Sequence, residues 1–171
     1  MSEGETTLHL LVGKICAGKS TLAAELGQAP GTVVVSEDAW LSALFGDEMR
    51  TVADYVRCSA KLRVAMEPHL IALLRAGLSV VLDFPANTPA TRVWMRGLFE
   101  KAGCRHRLHF LDVPDEVCKL RLQRRNADGT HAFTVSDEEF DRILSHFVAP
   151  GDDEGFEIVV YPRAPSLPKA H

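Results

Sequence analysis

With 171 residues, 46% of them apolar and 25% charged, the chain has the make-up of one soluble globular domain, large enough to bury roughly two-thirds of its unfolded surface. Its formal net charge of −4 offers no general attraction to nucleic acid, and no run of eighteen apolar residues exists to cross a membrane. The polar start "MSEGETT" lacks the features of a secretory signal, and the four scattered cysteines (Cys16, Cys58, Cys104, Cys118) form no Cys-x-x-Cys pair, which predicts free thiols in a cytoplasmic protein.

In chain order, "TLHLLVG" (7–13) predicts a strand that runs into a glycine-rich turn. A helix follows, with Leu22 and Leu26 on it and Gly27 at its end. "TVVVS" (32–36) predicts the second strand, and Ser36 caps a helix that closes near Gly46. A long helical region covers about 52–76 and stops at Gly77, with Pro68 expected to kink or divide it. "LSVVLDF" (78–84) is the third strand. Thr88 and Pro89 open the next helix as N-cap and first residue, and Gly103 closes it.

"RHRLHFLDV" (105–113) predicts a fourth strand. The basic segment "KLRLQRRN" then passes through a polar loop to Ser136 and Glu139, a capping box ahead of Phe140, Ile143, Leu144 and Phe147. "FEIVVY" (156–161) is the fifth strand, and "PRAPSLPKAH" reads as a loose tail, with 164–171 outside a single domain of residues 1–163. Runs of Val and Leu without strict alternation suit strands covered on both faces, so the pattern predicts a three-layer α/β domain around a parallel sheet.

"GKICAGKS" (13–20) matches G-x-x-x-x-G-K-[ST] at each fixed position. Gly13 and Gly18 permit backbone angles that a side chain would block. The amides of Gly13, Lys14, Ile15, Cys16, Ala17, Gly18, Lys19, Ser20 and Thr21 can then turn toward phosphate oxygens at a helix N-terminus. Lys19 is placed to reach the β- and γ-phosphates, and Ser20 to hold Mg²⁺. No Asn-Lys-x-Asp guanine signature occurs, which favours ATP over GTP.

Ligands of an open parallel sheet sit beyond the carboxyl ends of its strands, so the acidic residues there are read together. Asp83, after four apolar positions, has the form of a carboxylate that orients magnesium. Asp38, closing the second strand, suits the base that takes the proton of an attacking hydroxyl, and Glu37 competes for that role. Asp112 reads as a turn residue. Arg121 and Arg125 share one helix face, and with Arg124 they belong to an expected lid at about 121–136 whose cations close over developing negative charge. Arg92 is positioned to approach the same cleft. His131 reads as an exposed loop residue, His9, His106 and His109 as packed or surface residues, and Trp40 and Trp94 as core or pocket wall.

Through "GKICAGKST", "VVSEDAWLSALFG", "GLSVVLDFPANTPATR" and "LDVPDEVCKLRLQRRN", the chain resembles the small P-loop kinases of the polynucleotide kinase and zeta-toxin type. The resemblance implies a five-stranded parallel sheet ordered 2-3-1-4-5, Lys19 and Ser20 on ATP·Mg, Asp38 as base and lid arginines drawn from Arg121, Arg124 and Arg125. Two departures stand out. Polynucleotide kinases carry an arginine three residues after the catalytic aspartate, where this chain has Leu41, and their Asp-Thr-Asn run is replaced by "DFPAN", with Asn87 as the counterpart on the substrate side. These departures lean toward a small, less charged phosphoryl acceptor, as in antibiotic phosphotransferases or gluconate kinase, with its pocket in the 39–70 region. A nucleotide-switched regulatory module and a nucleic-acid end kinase using "RRN" and "RHR" are the competing readings.

Overall fold

Each of the five apolar runs forms a strand in the computed structural model, which describes residues 4–129 and 134–161. His131, the centre of the expected lid (130–133) and the expected tail lie outside the described residues. The strands are β1 (Thr7–Val12), β2 (Thr32–Ser36), β3 (Ser79–Pro85), β4 (Arg105–Leu111) and β5 (Ile158–Tyr161), all parallel, in the order β2-β3-β1-β4-β5. The helices are α1 (Lys19–Leu26), α2 (Glu37–Phe45), α3 (Val52–Arg75), α4 (Pro89–Ala102), α5 (Asp115–Asp128) and α6 (Asp137–Leu144), with one 3-10 turn at Asp152–Glu154.

Alternation along β1 divides the interior. Leu8, Leu10 and Val12 join Val80, Leu82 and Phe84 of β3 in a core closed by Leu62, Met66, Leu70 and Leu74 of α3 and Met95 and Leu98 of α4. Leu11 and Val81 point to the other face, where Ala23, Leu22 and Leu26 of α1 cover them. α5 and α6 add a separate cluster of Ala17, Val113, Cys118, Leu122 and Phe140, which packs the glycine-rich turn against these two helices. Among the described residues no helix is long and apolar enough to cross a membrane.

The capping signals act as read: Ser36, Thr88 and Ser136 each accept a backbone N–H three residues on, and Glu139 completes its box. Of the two outcomes expected at Pro68, a kink or a division, division does not occur: α3 runs unbroken for 24 residues. Pro68 and Val64 lie on the exposed face, so the Val64 carbonyl that loses its helical partner faces water. Glu37 and Asp38 do not close β2; the strand ends at Ser36 and they form the first turn of α2, where acidic groups favour the helix dipole.

β3 is irregular where it matters. Leu10 pairs with Leu82, yet Leu11 pairs with Pro85, so Asp83 and Phe84 are two extra residues opposite β1. Against β2 the register stays regular, and Ser36 faces Asp83.

On the α1 side of the sheet, His9 Nδ1 lies 2.9 Å from His109 Nε2, and His109 Nδ1 lies 2.7 Å from the Tyr161 hydroxyl. Burial lowers the pKa of His9, and burial with the neighbouring His9 and Arg107 lowers that of His109 to about 4; burial also lowers His106. In the unfolded chain these groups titrate near ~6.5. Between that pH and about 4 the unfolded state binds more protons, so stability is full above the upper limit and falls as pH drops. Urea titrations across this window should show a declining midpoint, and a His9→Asn/His109→Asn variant should flatten the decline.

Candidate active site

The turn after β1 is built tightly. A Cβ on Gly13 would lie 3.0 Å from Ala17 Cβ and 3.4 Å from the Leu111 carbonyl. Cys16 and Gly18 take left-handed backbone angles, φ 62° and 105°. Gly18 is the N-cap of α1, and no side chain caps that helix. The first-turn N–H groups of Lys19, Ser20 and Thr21 are therefore free of intrahelical and side-chain partners. Among the described residues none accepts from the N–H of Lys14, Ile15, Cys16 or Gly18 either. Two amides of the expected set are otherwise engaged: Gly13 N–H donates to Asn87 Oδ1 at 3.0 Å, and Ala17 N–H to the Lys14 carbonyl at 3.0 Å.

The loop's carbonyls are held from behind. Lys19 Nζ donates to the carbonyls of Gly13 (2.5 Å) and Lys14 (2.8 Å), and Asn87 Nδ2 donates to Gly13 at 2.8 Å. Arg121 Nη1 donates to the carbonyl of Cys16 at 3.1 Å, with that of Ala17 at 3.4 Å. Burial lowers the Lys19 pKa, and the charges of Asp83 and Asp38 partly oppose this. Lys14 contributes backbone only; its ammonium donates to the Val113 carbonyl, pairs with Asp115 at 2.5 Å and lies over the Phe147 ring.

Beside the cradle, Ser20 Oγ donates to Asp83 Oδ2 at 3.0 Å, bringing together the two residues expected on magnesium. Burial raises the Asp83 pKa, Ser20 lowers it, and the Asp38 charge raises it further. The bulge in β3 and the regular β2 register place Asp83 between Ser20 and the start of α2.

Glu37 and Asp38 separate cleanly. Glu37 is 1% exposed and accepts hydrogen bonds from Tyr55 Oη (2.8 Å) and Ser59 Oγ of α3, and burial raises its pKa. Asp38 is exposed and within electrostatic reach of Lys19 and Asp83. Tyr55 and Ser59 were not singled out from the sequence. The available signal was polar residues four apart on an otherwise apolar helical face.

The basic residues distribute unequally. Arg121 grips the loop itself, Arg125 is half-buried with its Nε unpaired among the described residues, and Arg124 is exposed. Arg92 does not approach the cleft. It is 0% exposed, with Nε and Nη2 on Glu154 (2.7 and 2.8 Å), Nη1 on the carbonyls of Ala86 and Val148, and Nη2 also 3.4 Å from that of Ala149. Its place in the first turn of α4, directed back under the sheet's end, makes it a strut. Asn87 departs from the expected substrate side as well, since its amide is committed at both ends to Gly13. Trp40 is exposed on α2, whereas Trp94 is half-buried beside Phe84 and donates to Glu67.

The donor set fits a nucleoside triphosphate with a divalent cation. The cradle has no room for an extra Cβ, its helix end is uncapped, and the Ser20–Asp83 pair presents the hard oxygens such a cation takes.

A family profile described as an AAA domain matches residues 8–150. No curated protein matches the sequence. Among solved structures, a candidate kinase from Chloroflexus aurantiacus is similar at a TM-score of 0.73 and 18% identity, over 92% of this chain and 85% of that one. An APS kinase from Mycobacterium tuberculosis, solved with AMPPNP and APS, is similar at 0.59 and 20% identity, over 94% and 91%. A chain of the Pnkp1/Rnl/Hen1 RNA repair complex is similar at 0.63 and 21% identity, over 83% of this chain but 44% of its own.

The buried strut sets a test. Arg92→Ala would strand Glu154 and three carbonyls, so the unfolding free energy should fall by about 3 kcal/mol. Arg92→Lys, which lacks the five-donor fork, should recover only part of that loss in urea titrations.

Proposed function

The chain belongs to the AAA domain family and has the P-loop kinase fold, and from that premise we propose that it is an ATP-dependent kinase that transfers the γ-phosphoryl group to a hydroxyl of a small-molecule acceptor. The observation that carries this reading is the convergence of Lys19, the Ser20–Asp83 pair and the exposed Asp38 around the uncapped start of α1.

Mg·ATP, when bound, supplies the activated phosphoryl group. The amides of Lys14, Ile15, Cys16, Gly18, Lys19, Ser20 and Thr21 hold its phosphates, and Lys19 neutralises charge on them. Ser20 and Asp83 hold the cation. Asp38 accepts the proton of the acceptor hydroxyl. Glu37 is unsuited to that task because two hydroxyl donors and burial already occupy it; its bonds to α3 fix the helical turn that carries Asp38. Arg121 holds the cradle from its carbonyl side, and Arg125, a turn further along α5 and half-buried, is the lid cation of this reading.

Leu41 supports a small acceptor. It is 2% exposed in the core, so the position that carries a substrate-binding arginine in polynucleotide kinases points away from the cleft here.

Coupled assays of ADP release across sugars, nucleosides, alcohols, aminoglycosides and a 5′-hydroxyl oligonucleotide test the reading. Turnover stimulated by a small hydroxyl compound is the expected result. Stimulation by the oligonucleotide alone, or nucleotide binding with no stimulated turnover, would replace it with the end-kinase or regulatory reading. Asp38→Asn should slow transfer by about 10²–10⁴-fold. Lys19→Ala should abolish transfer while shifting the thermal midpoint by no more than about 4 °C, because burying its charge contributes little to stability.

A further inference from the structure

Among the described residues two buried side-chain polar atoms have no hydrogen-bond partner, Arg125 Nε and Arg63 Nε. Arg125 belongs to the lid segment on α5. Arg63, on α3, lies outside both the phosphate cradle and that segment.

The surroundings of Arg63 are not those of a structural arginine. Arg92 spends its donors on Glu154 and three carbonyls. Arg63 makes one hydrogen bond among the described residues, from Nη2 to Ser59 Oγ at 3.2 Å, and its guanidinium lies over the Trp94 ring, 5.8 Å from the centroid. The neighbouring carboxylates are engaged elsewhere. Glu37 accepts from Tyr55 and Ser59. Glu67, four residues on along the same face of α3, accepts from Trp94 Nε1 at 3.0 Å and pairs with Lys101 at 2.5 Å. Arg63 thus holds a half-buried positive charge that no carboxylate among the described residues contacts. Such a placement costs desolvation and returns little until an anion meets it.

The row of residues around Arg63 leads to the reacting end of the site. Tyr55, Ser59 and Arg63 follow at four-residue steps on the face of α3 that bonds to α2. Ser59 joins Arg63 to Glu37, whose chain neighbour is Asp38. The Tyr55 hydroxyl lies in the field of Asp38 and of Arg63 together. Trp94 closes the row from α4, with Phe84 beside it. A free carboxylate therefore stands near one end of the row and an under-bonded guanidinium at the other, with the Tyr55 and Trp94 rings along it.

We propose that the phosphoryl acceptor is a small hydroxy acid, whose hydroxyl meets Asp38 and whose carboxylate meets Nη1 of Arg63. This rests on the kinase reading for the role of Asp38. One guanidinium balances the single charge of a carboxylate, whereas a phosphate monoester brings about two at neutral pH.

Calorimetry of the wild type with Mg·ATP comes first. Coupled ADP-release assays then compare matched probes, glycerate with glycerol and gluconate with glucose, and glycerol 3-phosphate as the phosphate-bearing arm. The wild type should favour at least one acid over its neutral counterpart in kcat/KM. Arg63→Gln should cut that preference by about 10–100-fold, chiefly through the KM of the acid. Arg63→Lys, which keeps the charge without the planar fork, should retain part of the preference, and it gives the same comparison if Arg63→Gln does not fold.

If Arg63 only offsets the charge of Glu37, its loss slows acid and neutral compound alike, the preference stays, and the proposal falls. A wild type that favours the neutral compounds or glycerol 3-phosphate, or that binds Mg·ATP and uses none of the probes, overturns it as well. If Mg·ATP gives no heat, the kinase reading has failed and takes the proposal with it, and that first titration tells the two failures apart.

Discussion

A loop that turns its amide hydrogens toward an anion must have its carbonyl oxygens satisfied from somewhere else, because each peptide carries both and neither tolerates burial alone. In this chain several of the carbonyls from Leu11 to Gly18 are taken up in this way. Ala86 N–H holds Leu11, Asn87 and Lys19 hold Gly13, Lys19 and Ala17 N–H hold Lys14, Arg121 holds Cys16, and α1 itself takes up Gly18. The partners come from the β3–α4 junction, from α1 and from α5, so three separate connections of the fold meet on one short turn. The anion-binding face is in this sense a product of the whole sheet rather than of the glycine-rich motif alone.

The same view explains the charges nearby. Lys19 sits with its pKa lowered by burial while Asp83 sits with its own raised, and each lies in the field of the other and of Asp38. Both displacements come chiefly from burial, which disfavours the charged form of each group. Glu37, one residue from Asp38, is placed differently. Enclosed by Tyr55 and Ser59, it ties α2 to α3, and chain adjacency converts that tie into a fixed location for the exposed carboxylate.

Much of this was legible in the order of residues. The five strands and the caps at Ser36, Thr88 and Ser136 follow from local patterns whose physics is short-range, and the glycine-rich motif and the strand-end Asp83 stand out each by itself, whereas the contact that joins Ser20 to Asp83 spans 63 residues of chain. The resemblance to small P-loop kinases supplied the sheet order. What was not legible was direction. Arg92 occupies a position four residues into α4 from which a side chain could reach the cleft, and only packing against the 148–154 segment turns it inward. Asn87 has the chemistry of a substrate contact, but the close approach of Gly13 commits both ends of its amide. The Glu37–Asp38 ambiguity likewise resolves through α3, a helix that begins fourteen residues after Asp38.

The two extra residues of β3 limit how this chain can vary. Because Asp83 and Phe84 enter as a pair, Phe84 stays on the core face with Val80 and Leu82, while Asp83 stays on the face that meets Ser20. Loss or gain of a single residue there would exchange the two, driving a carboxylate into the apolar interior and an aromatic ring into the cleft. Length changes in the lineage should therefore collect elsewhere, in the exposed stretch between α2 and α3, where the backbone has no partner strand to keep step with.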